Sequence, residues 1–309
     1  MKQLVLRLVE AVAIVVLLAT AVFLALRIVP GDAALLVLGD HASPEALAEL
    51  RAKLHLNEPM VMQYGRFLHG MAFGDFGESL RKPGVTASAR VFDALGPTAS
   101  LAFTSVFLGA LLGTLSAVLG AGPWLGRARG WIERALVAVA SFPLLALAPL
   151  LTWVLAIRLR TCALPGDPDA GAPGTLFAAS LLAIPLAAHV GRIGLASLSH
   201  LGRAQFLLTA RAKGASTPRT WILHALPNAL GPIVTVVATQ LGALLGGALV
   251  LERLFERPGL GSLILEAYAS RDIPVLQAAI VASGGLFVIA QMGATAVHAW
   301  VDPRARSAA

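Results

Sequence analysis

The sequence predicts an all-α integral membrane protein with six transmembrane helices, and three observations carry that prediction. Of its 309 residues, 57% are apolar and only 13% are charged, against about 45–50% and ~25% in a soluble domain. The apolar residues gather into runs near the roughly 20 residues that cross ~30 Å of hydrocarbon. The charges fall between those runs, and their sign depends on which side of the bilayer a loop occupies. Such a hydrophobic surplus exceeds what one or two soluble cores bury, so an ordinary soluble enzyme is excluded. The single cysteine, Cys162, excludes an internal disulfide and a multi-thiolate metal centre. A net charge of +7 marks a nucleic-acid binder only if the cations cluster on a soluble face.

Six runs qualify as spans: residues 4–26, about 97–120, 135–157, about 174–197, 227–251 and about 274–301. The first has Lys2 and Arg7 before or within its start and no small-residue cleavage site before Arg27 and Pro30-Gly31-Asp32. It therefore reads as an uncleaved anchor rather than a signal peptide. The last two runs contain no charged residue. Six spans put both termini on one side. With the termini cytoplasmic, segments 1–7, 123–134, 200–226 and 301–309 hold 11 basic residues against the two acids Glu133 and Asp302. The opposite segments, 27–95, 161–172 and 252–274, hold 10 basic and 14 acidic residues. That bias predicts cytoplasmic N- and C-termini, and it assigns the excess charge to topology rather than to nucleic acid.

Between the first two spans lies a long segment that does not read as membrane. Ser43-Pro44-Glu45-Ala46 supplies an N-cap serine, a proline at the first helical position and an early acid. Leu47, Leu50, Leu54 and Leu56 then predict a short amphipathic helix ending near Asn57-Glu58-Pro59. A second helix is expected over 60–71, before the turn at Gly74-Asp75-Phe76-Gly77. This segment is either a small packed cap or a surface that receives a soluble partner; residue pattern alone leaves both open.

The longest inner loop, about 203–226, carries the most information. Residues 209–213 are small and basic, which suits a helix, and Gly214 is a natural stop because glycine takes the left-handed conformation without steric cost. Thr217 as N-cap and Pro218 at the first position restart a helix, and Pro227 is expected to begin the fifth span. A short helix with small side chains suits another protein's cleft, where Arg211 and Lys213 can reach carboxylates or helix C-termini. The same residues would also serve as a loop that only sets topology.

The stretch Thr209-Ala210-Arg211-Ala212-Lys213-Gly214, followed by His224-Ala225-Leu226-Pro227-Asn228-Ala229-Leu230, resembles the EAA loop of ABC importer permeases, in the form found in the dipeptide/oligopeptide/nickel branch. Three further stretches resemble the B-type (first) permease subunit of that branch. They are Arg27 to Asp32 with Ser43-Pro44-Glu45-Ala46 and Gln63-Tyr64; Gly74-Asp75-Phe76-Gly77-Glu78-Ser79; and Glu252 to Gly261 with Arg271-Asp272-Ile273-Pro274 and Val301-Asp302-Pro303. The likeness covers nearly the whole chain in order. The chain departs from the pattern at Gln205-Phe206, where the family usually has Asp-Tyr, and at Pro227, where it favours arginine.

The resemblance implies a type I ABC importer permease fold: a transmembrane helix over 1–28, an extracytoplasmic helical segment over 29–93, a transmembrane domain over 94–302 and a cytoplasmic tail over 303–309. It implies a place in a bacterial inner membrane, among lipid, as half of a heterodimer with a second homologous permease. Two separate ATPase subunits would carry ATP and magnesium, and an extracytoplasmic solute-binding protein would deliver di- or oligopeptides. Nickel chelates, glutathione-like compounds and oligosaccharides are the family's alternatives. Thr209, Ala210, Arg211, Ala212, Lys213, Gly214, Ala215 and Ser216 would form the coupling helix that docks on an ATPase. No G-x-x-x-x-G-K-[ST] loop is present, so the chain itself is expected to bind no cofactor and to catalyse nothing.

The remaining chemistry-bearing residues weigh less. His41, His55 and His69 lack metal-ligand spacing, so no metal site is expected. His189 and Arg192 lie three apart on one face of the fourth span and are candidates to line a pathway, because intramembrane ionisable groups face the bundle interior by default. Gly246 and Gly247, with Gly242, either pack helices closely or line the pore. Glu252 and Glu256, four apart, are expected on one helix face, paired with Arg253, Arg257 or Arg271 or meeting a partner. A secondary transporter would need its own ion or proton site in the bilayer, and the charge-free fifth and sixth spans argue against one. A membrane-embedded enzyme would need a nucleophile–base pair, and no such motif is present.

Overall fold

The computed structural model describes residues 2–28, 33–39, 42–126, 129–164, 166–167, 171–202 and 204–301. Among them every regular element is helical, apart from an isolated antiparallel bridge between Glu78 and Thr86. Pro30-Gly31-Asp32, His41, Arg127, Arg203 and the 303–309 tail lie outside the described residues, as does the side chain of His298.

In chain order the helices are α1 (Lys2–Ile28), α2 (Ala33–Leu38), α3 (Pro44–Lys53), α4 (Met60–Phe73) and α5 (Ala87–Ala121). They continue as α6 (Arg129–Ser141), α7 (Leu144–Thr152), α8 (Gly171–Leu201), α9 (Gln205–Ala212) and α10 (Thr217–Arg219). The chain closes with α11 (Leu226–Leu254), α12 (Leu260–Ser270) and α13 (Ile273–Val301). Among the described residues five helices are long and apolar enough to cross a membrane, and the bent pair α6–α7 makes a sixth passage if counted as one. The third span is therefore not the continuous helix expected over 135–157. It breaks by 104° at Phe142-Pro143, where Pro143 is extended at φ −63° and ψ 129°. A residue before proline is pushed out of the α region, and the chain turns there.

The chain divides into two compact units, one of residues 1–98 and 258–289, the other of residues 99–257 and 290–309. In the first, Phe23 of α1 stacks on Phe67 of α4 at 5.6 Å and meets Tyr64 at 5.3 Å, while the Thr20 and Tyr64 hydroxyls share a 2.7 Å hydrogen bond. The Ser43 side chain caps α3 as the sequence predicts, accepting from the Ala46 N–H at 3.2 Å. The end of α3 differs. The helix stops at Lys53 because His55 turns left-handed at φ 53° and the Leu56 N–H closes back on the Arg51 carbonyl at 2.9 Å. Beyond it, Glu58 takes Arg66 at 2.8 Å and His55 at 3.0 Å. The hydrogen bond from Arg66 holds the Glu58 carboxyl below its ordinary pKa, against a smaller opposing effect of burial. What this pair contributes is thus present above a free glutamate's pKa and fades as pH falls through the lowered one.

A second arrangement in this unit joins residues distant in sequence. Asp272, fully buried between α12 and α13, accepts hydrogen bonds from the Ser79 hydroxyl and from the Leu80 N–H at 3.1 Å. Arg81 Nε donates to the Ser270 carbonyl at 2.6 Å, and Arg90 pairs with Glu266 at 2.8 Å. The Leu260 N–H at the start of α12 donates to Thr98 Oγ1 at 2.8 Å. This latch ties the segment after α4 to the connection that opens the last span.

The second unit is built around α8, whose buried residues run from Gly174 to Leu198. In hydrocarbon, apolar burial does not itself drive helices together, so close van der Waals approach through small residues matters most. Here that approach lies between α5 and α8. A β-carbon on Gly113 would stand 2.7 Å from the Ala187 carbonyl oxygen, and one on Gly194 would stand 2.8 Å from the Ala117 methyl. Gly113→Ala is therefore expected to lower stability by about 1–3 kcal/mol, the usual range for overpacking. Thermal unfolding in detergent, compared with Gly293→Ala, where an added β-carbon meets no other element within 4 Å among the described residues, measures it. Equal melting temperatures for the two variants would refute this packing.

Candidate functional site

The loop between α8 and α11 folds as one short helix, a glycine stop and a continuous run into the next span. Helix α9 ends in a Schellman arrangement: the Gly214 N–H donates to the Arg211 carbonyl at 2.9 Å and the Ala215 N–H to the Ala210 carbonyl at 3.1 Å. Gly214 sits at φ 87°, the left-handed position the sequence predicts for it. The restart differs from expectation by one residue. Ser216, extended at φ −63° and ψ 159°, is the N-cap, and Thr217 and Pro218 are already helical. Pro227 stands in the first turn of α11, as expected, but the helical path begins earlier, because a π-helical turn over Thr220–Ala225 leads directly into α11. A proline ring clashes with the carbonyl four residues back in a regular helix, and the wider π turn before Pro227 relieves that clash.

One side chain seats α9. Leu207 is buried at 1% exposure and shares a core cluster with Leu198, Trp221 and Ala225. Trp221 in turn lies 6.2 Å from Trp124 of the α5–α6 connection. With Leu207 turned inward, Phe206, Leu208, Thr209, Arg211, Ala212 and Lys213 are all exposed. Neither Arg211 nor Lys213 has an ion pair among the described residues. The loop thus presents a rigidly seated helix with apolar and basic side chains free at its surface. Ala210, Ala215 and Ser216 flank that face, Ala210 and Ala215 half-buried and Ser216 exposed. Leu207 and the tryptophan pair escape sequence reasoning. A lone leucine in a basic loop carries no periodicity, and Trp124 and Trp221 are nearly a hundred positions apart.

The other candidate residues fall out differently. His189 is half-buried and its Nδ1 shares a 2.8 Å hydrogen bond with the Pro185 carbonyl one turn back, while Arg192 is exposed. Gly246 and Gly247 lie within α11, and their surroundings fall outside the described residues. Glu252 and Glu256 do not share a helix face. Glu252 is buried at 1% exposure, whereas α11 ends at Leu254 and Glu256 turns left-handed at φ 50°. Arg257 donates to Thr175 Oγ1 at 2.7 Å and its N–H to the Glu252 carbonyl at 2.8 Å. Burial lowers the pKa of the Arg257 guanidinium, and the Glu252 carboxylate pushes back. No group of three or more potential metal ligands occurs among the described residues.

Among the described residues the chain is an apolar set of helices with one short helix seated by Leu207 and exposed in a basic loop, the build of a membrane-embedded subunit. The chain belongs to the family of binding-protein-dependent transport system inner membrane components, whose model matches residues 99–307; the companion N-terminal family model matches residues 1–87. It is 31% identical over 310 residues to a probable peptide ABC transporter permease of Sinorhizobium fredii, with 97% of each chain covered. It is 31% identical to a dipeptide transport system permease of Alkalihalophilus pseudofirmus (91% of this chain and 92% of that one). A glutathione transport system permease of Salmonella paratyphi A is also 31% identical, with 97% of each covered. Inward-facing structures of the MetNI methionine ABC transporter share the fold, with a TM-score of 0.56 at 19% identity over 69% of this chain and 96% of that one. The chain is accordingly a membrane-embedded permease subunit of an ABC importer, with the type I fold, and works with ATPase partners.

Proposed function

We propose that this chain forms half of the translocation path of an importer of di- or oligopeptides, and that residues 209–216 dock on a separate ATPase subunit. One observation carries the coupling reading: Leu207 seats α9 on the bundle core while Arg211 and Lys213 stay exposed beside the Gly214 stop. ATP-driven movement of a partner gripping that helix would pass through the buried Leu207–Trp221 contact region and the π turn into α11, shifting the spans between two packings. The chain itself binds no nucleotide in this reading and has no catalytic role. A second permease pairs with it as a heterodimer, a solute-binding protein feeds it, and the termini face the cytoplasm of a bacterial inner membrane, as the 11 to 2 excess of basic over acidic residues in their segments supports. His189, Arg192, Gly246 and Gly247 remain the candidates to line the path. Peptide is favoured as solute by the names of two of the relatives above; a glutathione-like solute has the support of the third. Nickel chelates and oligosaccharides rest on family likeness alone.

Charge reversal of Arg211 and Lys213 together to glutamate tests the docking. Complementary charge governs encounter and register at such surfaces, so ATPase subunits are expected to be lost from the purified complex at least tenfold while the permease still inserts. Full recovery of the ATPase with the double variant would sink the docking assignment. Solute binding to the cognate binding protein separates peptides from glutathione-like compounds.

A further inference from the structure

A cavity of about 460 Å³ opens among α1, α4, the turn after α4 and the start of α13, within the first unit and remote in sequence from the coupling loop. That volume suits a small ligand. Its charged residues are mostly spoken for. Lys53 pairs with Glu78 at 3.1 Å, Arg66 pairs with Glu58 at 2.8 Å, and Asp75 Oδ1 accepts the Gly77 N–H at 3.0 Å. Arg27 is different. Its Nε and Nη2 both donate to Gln63 Oε1, at 3.1 and 2.6 Å, and its guanidinium lies 4.5 Å above the Phe23 ring. Among the described residues it meets no carboxylate.

Gln63 cannot turn away from this arrangement, since its amide N–H groups are held by the Leu56 and Glu58 carbonyls at 3.4 and 2.8 Å. The guanidinium is thus oriented by a neutral oxygen and an aromatic face, half-buried, and among the described residues its remaining N–H donors meet no further acceptor. A guanidinium has five such donors in a planar fork that matches a carboxylate. Gln277 of α13 lines the same cavity and makes no hydrogen bond among the described residues. Phe67, Phe76 and Pro274 add apolar wall. We propose that this cavity binds the carboxylate of a small amphipathic solute, Arg27 supplying the charge, Gln277 an additional amide donor and the aromatic wall the apolar contact. The site stands apart from the coupling reading and takes from the peptide reading only the choice of probe.

The test uses the full chain in lipid nanodiscs with its partner subunits, and calorimetric titration with alanyl-phenylalanine, its C-terminal amide and N-acetyl-phenylalanine. The free acid is expected to bind saturably, and the amide at least ~tenfold more weakly, a loss readily resolved by titration. Arg27→Gln should abolish the distinction between acid and amide, and Arg27→Lys should keep part of it. The acid–amide comparison on the unaltered chain needs no variant, so a folding defect in Arg27→Gln leaves the proposal testable. Equal binding of acid and amide, or no saturable binding of either carboxylate probe, overturns the site. Binding of N-acetyl-phenylalanine without the dipeptide keeps the carboxylate site and counts against peptides as solute.

Discussion

Gly214→Leu is expected to abolish transport while leaving the protein inserted and intact. The native φ of 87° places residue 214 where an L side chain costs roughly 1–2 kcal/mol. The local chain escapes that cost by surrendering the Ala215-to-Ala210 hydrogen bond and letting α9 run on toward Ser216. Either change rotates Arg211 and Lys213 away from the face that Leu207 fixes. If residues 209–216 grip the ATPase, solute uptake and solute-stimulated ATP hydrolysis both fall by an order of magnitude or more. Gly214→Asn, which tolerates the left-handed region better than other side chains, should retain most activity. The measurement is uptake and ATPase rate in the reconstituted complex. Wild-type transport by Gly214→Leu would end the coupling assignment.

Asp272→Ala carries the next largest expected effect, and it acts on stability instead. The carboxylate is fully buried and takes the Ser79 hydroxyl and the Leu80 N–H. Removing it strands those two donors, Ser79 itself being only 2% exposed, at about 1–3 kcal/mol for each group left unsatisfied. The segment after α4 would then be held mainly by Arg81 on the Ser270 carbonyl and by the Arg90–Glu266 pair, whose Glu266 is 54% exposed. A marked fall in melting temperature and new proteolytic cleavage near residues 78–86 are expected. Asp272→Asn keeps an acceptor oxygen and should lose less, and Ser79→Ala less again. Unchanged melting temperature and protease resistance in Asp272→Ala would show that the latch does not hold this segment.

These two residues show how unevenly the molecule was legible. Gly214 could be read directly, because a helix stop is a local event and glycine after a small, basic run has one economical conformation. The Ser43 cap was equally local, and the structure places it where expected. Asp272 and Ser79 were visible as parts of separate short motifs, yet nothing in either says that they meet across 193 positions of sequence. Leu207 is silent in the sequence for the same reason: its significance lies in Trp221 and Leu198, which only folding brings to it. The misplaced boundaries have local causes weaker than the tertiary ones that overrode them. His55 ends α3 early, Ser216 rather than Thr217 caps the next helix, and a π turn carries the helical path into α11 ahead of Pro227.

By itself the sequence determined that this protein lives in a membrane, where its apolar runs lie and which loop carries a short helix of small and basic residues. Those properties depend on composition, on run length against bilayer thickness and on single-residue conformational preferences, all of which act over a few positions. The tertiary structure alone decided that the third passage breaks at Pro143, that α5 and α8 approach through glycines and that Glu252 is buried while Glu256 is not. It also decided that Arg27 ends in a cavity with no carboxylate beside it among the described residues. In a bilayer the apolar exterior is satisfied almost anywhere along a span, so hydrophobicity sets which segments enter the membrane and leaves their mutual packing open. That choice falls to close contacts and to hydrogen bonds between buried polar groups far apart in the chain, and these have no signature until both partners are in place.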